Sequence, residues 1–297
     1  MESWRQHPLV FWAFILPGAL WLVLFFLAPL SLIWAFSFGE RTGVVDIAIT
    51  GTFSNYIEAF DPLYLKIFWK SLWIAATATA LALIIGFPVA LTISFAPPRL
   101  KPILLLLVIL PFWTNLLIRT YAMIAVLRTR GYVNFGLEAV WDSVSAVTDM
   151  VGIGALPRYQ PVTLLYNDAA VVIGIVYVYL PFMVLPLYAS LERLDRSYLE
   201  ASLDLGAGQF RTIASIVVPL ALPGIISGII LVFIPALGMF LIPDLLGGPD
   251  SQMIGNVIER QFKAANNWPL GAAMSFLLLY LTFIALALRS YWDRDDA

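Results

Sequence analysis

The residues of this 297-residue chain that are best placed for charge-based chemistry lie in a short polar segment, 199–206. Glu200 and Asp204 are four residues apart, so on a helix they present two carboxylates on one side, a pattern suited to a basic partner. Gly206 follows directly, and glycine tolerates the left-handed backbone that ends a helix and turns the chain. The spacing predicts a short helix that docks rather than one that catalyses.

The other side chains of this segment are suited to contact with a partner. Two are small and allow two backbones to approach closely, and three leucines offer apolar surface, of which the first two are four residues apart on one predicted face. They are Leu199, Ala201, Ser202, Leu203 and Leu205. An ordinary surface helix between two apolar segments is the alternative interpretation.

The chain lacks the side chains that most catalytic and cofactor-binding sites require. The chain has no cysteine and one histidine, His7, which excludes thiolate metal sites, thiol nucleophiles and His-based catalytic triads. No Gly-x-x-x-x-Gly-Lys-Ser/Thr loop is present, so we expect this chain to bind no cofactor and to use ATP only through another chain. A net charge of −2 without a basic block argues against a nucleic-acid partner.

The elements that must position the polar segment are long apolar runs. The composition is 61% apolar and 12% charged, whereas soluble domains are nearer one half and one quarter. A helix crosses the bilayer core with about 20 apolar residues. Six stretches lack Asp, Glu, Lys and Arg: 6–39, 71–98, 102–118, 169–191, 212–243 and 264–288. The sequence predicts an all-α membrane protein with six transmembrane helices in a single domain, 1–297.

Six spans place both termini on one side of the lipid bilayer. The first run is about twice as long as the apolar region of a signal peptide, so we expect it to stay as the first helix. Lys and Arg divide evenly between the two sides, but those on the terminal side lie in shorter loops, which favours cytoplasmic termini. The predicted helices span about 11–38, 70–95, 103–127, 169–190, 214–243 and 270–290.

The polar segment resembles a family signature. Glu200-Ala201, Gly206, Ile216 and Pro219 match the "EAA" signature of importer-type ABC permeases at the family's intervals; Ser202 replaces the second alanine and Val218 the usual leucine. The resemblance implies that residues 192–219 contain a cytoplasmic coupling helix, which is bound by a separate ATPase. It also implies the type I ABC importer permease fold.

Further matches between residues 104 and 273 resemble the permeases of spermidine/putrescine uptake. They lie at 111–115, 117–121, 179–186, 246–250, 254–258 and 267–269. The resemblance implies a bacterial inner-membrane subunit with cytoplasmic termini that works with a second homologous permease. It also implies two ATPase subunits, which use ATP and magnesium, and an external solute-binding protein.

A polyamine substrate would need carboxylates and aromatic faces, because ammonium groups are held by ion pairing and cation–π contact. Phe233, Leu237, Phe240 and Asp244 follow at four, three and four residues, which predicts one stripe along the fifth helix. Asp244 lies at its outer end, where solute would enter. The alternative is that Asp244 sits in water beside the following Gly-Gly-Pro turn.

The third and fourth helices offer further candidates. Trp113 and Tyr121 are eight residues apart, which predicts one face of a continuous helix, with Asn115 nearby, and Tyr177 lies on the fourth helix. Packing or an interfacial aromatic belt is the alternative explanation for such residues. Arg119 opposes a cationic solute; we expect it to snorkel to the outer surface, or else to pair with Asp244 until the solute displaces it.

Three other functions compete with polyamine import. An ABC permease for another small organic solute would share every feature except the substrate. A secondary transporter would want acids near the bilayer midplane, and the six runs contain none. An intramembrane enzyme would lack the groups that hydrolysis requires.

Overall fold

The computed structural model describes residues 8–43, 46–152, 154, 156–195 and 197–295. His7 and Arg196, a residue of the predicted coupling segment, lie outside the described residues. Because hydrocarbon offers no hydrogen-bond partners, the apolar runs must satisfy their backbone groups internally, and they do so as helices.

The helices are numbered α1 to α15 along the chain. They are α1 Pro8–Leu22, α2 Ala28–Phe36, α3 Ser54–Ala59, α4 Pro62–Phe95, α5 Lys101–Ile109, α6 Leu116–Leu127, α7 Tyr132–Met150, α8 Asp168–Leu191, α9 Ser197–Asp204, α10 Gln209–Thr212, α11 Val218–Leu220, α12 Leu222–Leu237, α13 Leu241–Leu246, α14 Ile254–Lys263 and α15 Trp268–Asp295. Two wide turns of π-helix, Val23–Leu27 and Ile213–Val217, join α1 to α2 and α10 to α11. Strands β1 (Gly39–Arg41) and β2 (Ile47–Ile49) pair antiparallel, with Gly39 opposite Ile49.

In the residues that the structure describes, each of the six uncharged runs is mostly helical, as predicted. Three described helices are long and apolar enough to cross a membrane, two bent pairs reach that length together, and one helix is apolar but shorter. The first are Phe11–Phe36, Pro62–Phe95 and Asp168–Leu191; the pairs are Lys101–Trp113 with Leu116–Met150 and Gln209–Leu220 with Leu222–Leu237; the last is Trp268–Ile284. The predicted all-α membrane architecture is confirmed.

Two of the predicted helices are not continuous. The third predicted helix, 103–127, is bent by 94° because Thr114 is extended and Asn115 starts a new helix, accepting the N–H of Leu117 at 2.8 Å. The fifth, 214–243, bends by 69° between Leu220 and Leu222 and then stops at Leu237. Between the third and fourth predicted helices the chain forms α7, which lies outside all six predicted spans.

The chain divides into two compact units. One comprises the residues up to Leu65 and those from Val257 onward, and the other comprises Lys66–Asn256. In the first unit, the β1–β2 hairpin is anchored by Arg41, whose Nη1 donates to the Ala265 carbonyl at 2.9 Å. The single-domain interpretation stays a prediction. All the candidate site residues belong to the second unit.

The core of the second unit forms where α8 packs against α12, through small residues on α12. A Cβ added at Gly224 would lie 2.7 Å from the carbonyl oxygen of Pro186, and one at Gly228 would lie 2.7 Å from Met183 Sδ. Glycines four residues apart let two membrane helices approach closely. Met183 and Leu187 on α8 are fully buried in this contact.

We predict that Gly224→Ala destabilises the protein, because the added methyl group would lie 2.6 Å from Ser190 Cβ and 2.7 Å from the Pro186 carbonyl oxygen, and neither atom can move without the α8 backbone. Overpacking of this kind costs about 1–3 kcal/mol. Gly136→Ala in α7 is the matched control, since nothing lies within 4 Å of its Cβ position and alanine favours helix. Thermal unfolding of the detergent-purified complex measures both. Equal melting temperatures for the two variants would contradict close α8–α12 packing.

Candidate functional site

The predicted docking segment is a helix, α9, that begins at a well-defined turn. The carboxylate oxygen Oδ1 of Asp195 accepts the backbone N–H of Ser197 at 3.0 Å. This hydrogen bond lowers the pKa of Asp195 below its ordinary value, because the N–H favours the charged carboxylate. The start of α9 is therefore fixed by a group that stays ionised at neutral pH.

The end of α9 is fixed by Gly206, as predicted. Its φ of +82° lies in the left-handed region, the Gly206 N–H donates to the Leu203 carbonyl at 2.9 Å, and the Ala207 N–H donates to the Ser202 carbonyl at 3.1 Å. This pair of bonds is a Schellman motif, which satisfies carbonyls that the helix end would leave free.

The inner side of α9 packs on the rest of the unit. Ser202, 9% exposed, shares a hydrogen bond of 3.0 Å with the hydroxyl of Thr212, which is 5% exposed. The serine that replaces the second alanine of the signature thus ties α9 to the end of α10. Leu199 is partly buried and packs against the hydrophobic core, whereas Leu203 is 48% exposed, so Leu203 is the more open of the two leucines.

The outer side of α9 is open to solvent. Glu200, Ala201 and Asp204 are exposed, so the two predicted carboxylates are accessible. Leu205 and Phe210 are each 90% exposed, which is unusual for large apolar side chains outside the bilayer. Leu205 lines a groove of about 450 Å³ beside α9. Phe210 escaped the sequence analysis because the resemblance gives it no fixed position.

An ion pair joins this segment to the preceding helices. Lys101 Nζ lies 2.6 and 2.7 Å from the two carboxylate oxygens of Glu192. Lys101 begins α5 and Glu192 follows α8, so the pair links the α4–α5 turn to the chain that enters α9.

The predicted stripe on the fifth helix is wrong. Phe233 lies on α12, which ends at Leu237, while Asp244 lies on the separate helix α13. A non-helical stretch containing Phe240 separates them, so helical spacing does not align them. Asp244 is exposed, and Phe240 is 41% exposed.

The predicted shared face of Trp113 and Tyr121 is also wrong, because the bend at Asn115 falls between them. Trp113 is 75% and Tyr121 58% exposed. Asn115 uses its side-chain oxygen to start α6. Tyr177, 40% exposed, lies on α8. The structure brings α6, α8 and α13 into mutual contact, so Tyr121, Tyr177 and Asp244 lie on neighbouring helices.

Arg119 does not snorkel to the outer surface. It is 7% exposed, and its Nε and Nη1 atoms have no hydrogen-bond partner. In the described part of the chain it makes no ion pair, so the alternative pairing with Asp244 is absent in this conformation. Both expectations for Arg119 fail because α6 turns its first charged residue inward.

A second polar cluster escaped the sequence analysis. Lys70 on α4 lies 2.9 Å from Asp168 Oδ1 and donates to the carbonyl oxygen of Asp250 at 2.5 Å, while the adjacent Ser71 accepts the Ile254 N–H at 2.7 Å. Lys70 and Asp168 each precede an uncharged run by one residue, and that shared position could have identified them. The described residues contain no group of three or more His, Cys, Asp or Glu that could hold a metal ion.

Known proteins resemble this chain in sequence over most of its length. The model of the family described as "binding-protein-dependent transport system inner membrane component" matches residues 82–295. The chain is 43% identical to the spermidine/putrescine transport system permease protein PotB of Haemophilus influenzae, over 88% of this chain and 86% of that protein. It is 41% identical to PotB of Escherichia coli K12, over 92% and 93%.

A solved structure shares the fold. A chain of a bacterial ABC transporter involved in the import of the acidic polysaccharide alginate matches with a TM-score of 0.69 and 15% identity, over 99% of this chain and 98% of that one. At this identity the likeness shows the fold alone. The predicted type I ABC permease fold is thereby confirmed.

We predict that the Ser202–Thr212 hydrogen bond holds α9 in place. Ser202→Ala leaves the buried Thr212 hydroxyl without this partner and should lower stability by about 0.5–1.5 kcal/mol. Adding Thr212→Val should recover much of that loss, because both polar groups are then removed together. A double-mutant cycle in melting temperature measures the coupling. Strictly additive effects would show that the bond contributes nothing.

Proposed function

This chain belongs to the family of binding-protein-dependent transport system inner membrane components, and from that membership we propose that it is the membrane permease subunit of an ATP-driven ABC importer of polyamines. It is a transport subunit and not an enzyme. The observation that supports a polyamine substrate is the 41–43% identity of this chain to permeases named for spermidine and putrescine transport.

The proposed role of α9 is coupling to a separate ATPase. The exposed carboxylates of Glu200 and Asp204 would meet basic side chains of the ATPase, and the open apolar surface of Leu203, Leu205 and Phe210 would be covered by it. The chain itself would bind no cofactor. ATP with its magnesium would be bound and hydrolysed by two ATPase subunits, whose closure would push α9.

Two contacts would transmit the movement of α9 to the membrane helices. Ser202 joins α9 to α10, and Lys101 with Glu192 joins the same region to α5 and α8. Movement of α9 would therefore also move the α4–α5 turn and the bent helices of the fifth apolar run. Rocking of these elements would open the solute path alternately to each side.

The membrane is the bacterial inner membrane, and we propose that both termini and α9 face the cytoplasm. The opposite side would receive the external solute-binding protein. A second, homologous permease would complete the solute path. Family membership supports the binding protein and the membrane, and the match of the α9 segment to the coupling signature of importer permeases supports the orientation.

The proposed solute path lies at the other end of the second unit. Asp244 would attract an ammonium group, and aromatic side chains along the path would hold methylene segments and cations through their faces. The aromatic candidates are Trp113, Tyr121, Tyr177, Phe233 and Phe240, with Asn115 beside the bend. Support comes from the contacts among α6, α8 and α13.

We predict that the complete complex, reconstituted in liposomes with its ATPase and binding protein, takes up labelled putrescine or spermidine. Excess unlabelled polyamine should abolish this uptake, whereas sugars and amino acids should not. Uptake that needs no ATPase would point to an ion-coupled transporter. ATP-driven uptake of a different solute, without competition by polyamines, would refute the proposed polyamine substrate. It would leave the proposed permease role intact.

We also predict that Glu200→Lys uncouples ATP hydrolysis from uptake, because it reverses the charge that meets the ATPase. Gly206→Pro should do the same by removing the left-handed helix end. Glu138→Lys on α7 is the matched control and should transport normally. Uptake per ATP hydrolysed, at equal amounts of complex in the membrane, is the measurement. Normal coupling in both α9 variants would refute the coupling role.

A further inference from the structure

The short helix α13 carries Asp244, the acid of the proposed solute path, on an exposed face. A helix of six residues is too short to be stable by itself, so neighbouring elements must hold it. Two of the stretches that resemble polyamine permeases, 246–250 and 254–258, border α13 and have no part in the coupling role of α9. Their contacts show how α13 is held.

The buried face of α13 lies on α8 at a glycine. A Cβ added at Gly174 would lie 2.7 Å from Cγ2 of Ile242 and 3.1 Å from Cδ1 of Leu246, and both of these α13 side chains are fully buried. Apolar packing has no preferred direction, so it fixes the approach of α13 to α8 better than the orientation of the helix. Hydrogen bonds are directional, and they are found at both ends of α13.

Asn256, in the first turn of α14, fixes the start of α13. Its Nδ2 donates to the carbonyl oxygen of Phe240, the residue before the helix, at 2.7 Å, and its Oδ1 accepts the Met253 N–H at 3.1 Å. Asn256 is 2% exposed, so water does not compete for these bonds. A Cβ added at the adjacent Gly255 would lie 2.6 Å from the carbonyl oxygen of Gly238. The stretch 254–258 therefore docks on the non-helical link between α12 and α13.

The end of α13 and the loop after it are held from two sides. The Tyr166 N–H donates at 2.9 Å to the carbonyl oxygen of Leu246, the last residue of the helix. In the following loop, the carbonyl oxygen of Asp250 accepts from Lys70 of α4, whose Nζ also lies 2.9 Å from Asp168. The ion pair is partly exposed and by itself stabilises little. Its effect is to direct the ammonium group of Lys70 to the backbone of the loop.

We propose that Asn256 and Lys70 are positioning residues, which hold α13 so that Asp244 meets a polyamine in one fixed orientation. Neither side chain needs to touch the solute, because Asn256 is buried and the positive charge of Lys70 would repel an ammonium group. A carboxylate that is already in place loses little conformational freedom on binding, and this preorganisation increases affinity. The inference rests on the proposed polyamine import.

A spin label on α13 tests whether the two residues hold the helix, and this test needs no solute. The chain has no cysteine, so Asp244→Cys gives one labelling site when the partner subunits are also free of cysteine. The mobility of the label should rise after Asn256→Leu or Lys70→Met. Lys70→Arg keeps a cationic donor and should leave the mobility near its starting value.

Asn134→Leu is the matched control for Asn256→Leu. Asn134 is 3% exposed, and its side chain likewise bonds backbone groups of another segment, the N–H of Val162 at 2.9 Å and its carbonyl oxygen at 3.0 Å. Its loss should lower the melting temperature of the complex about as much, because a buried amide is removed in both variants. The mobility of the label at position 244 should not change.

Putrescine binding tests the consequence for transport. In the complex purified without the external binding protein, Asp244→Asn, Asn256→Leu and Lys70→Met should each raise the putrescine Kd about two- to tenfold, the range for loss of one hydrogen bond. Added to Asp244→Asn, the other two changes should raise the Kd no further, because they act through that carboxylate. Asn134→Leu should leave the Kd unchanged, which a purely structural role of Asn256 would not distinguish from Asn256→Leu.

Three results would overturn the inference: unchanged label mobility in the Asn256 and Lys70 variants, an unchanged Kd in Asp244→Asn, or effects on the Kd that add to that of Asp244→Asn. If Asn256→Leu does not assemble, Lys70→Met decides, since that side chain is partly exposed. Any of these results with normal putrescine uptake by the wild-type complex leaves the proposed function intact. Absence of putrescine uptake by the wild-type complex refutes the proposed function, and with it a role in polyamine binding.

Discussion

The bilayer core accepts neither charges nor unsatisfied backbone groups, and this constraint arranges the rest of the molecule. It forces the six uncharged runs into helices and confines most charged side chains to helix ends and loops. Two ion pairs lie at such ends: Lys101 with Glu192 at one, and Lys70 with Asp168 at another. Arg119, 7% exposed on α6, is a charged side chain that is buried inside a predicted membrane helix.

Local signals were predicted well from the sequence. The glycine that ends α9 acts within a few residues, so its left-handed conformation could be inferred from residue type and position. The runs without charges identified the membrane helices for the same reason, since their length is compared with a fixed bilayer thickness. The position of α9 between two apolar runs followed directly.

Alignments along a helix were predicted poorly, because they assume that the helix is continuous. The pairing of Trp113 with Tyr121 failed at Asn115, and the stripe toward Asp244 failed after Leu237. The first break had a local signal, an asparagine that can cap a new helix. The burial of Arg119 and the ion pair of Lys70 with Asp168 depend on which helices meet in the folded protein. Residue spacing carries no such information.

The central claim is that α9 faces the cytoplasm and is covered by a separate ATPase, and single-cysteine labelling tests it most directly. Leu205→Cys would place the chain's only thiol at a 90% exposed site beside α9, and Val140→Cys, at a 62% exposed site on α7, is the control. With a membrane-impermeant maleimide, the account predicts that the cysteine at 205 reacts only in inside-out vesicles stripped of ATPase and is protected when the ATPase is added back. The cysteine at 140 should react only in spheroplasts. Labelling of position 205 in spheroplasts, or reactivity unaffected by the ATPase, would contradict the account.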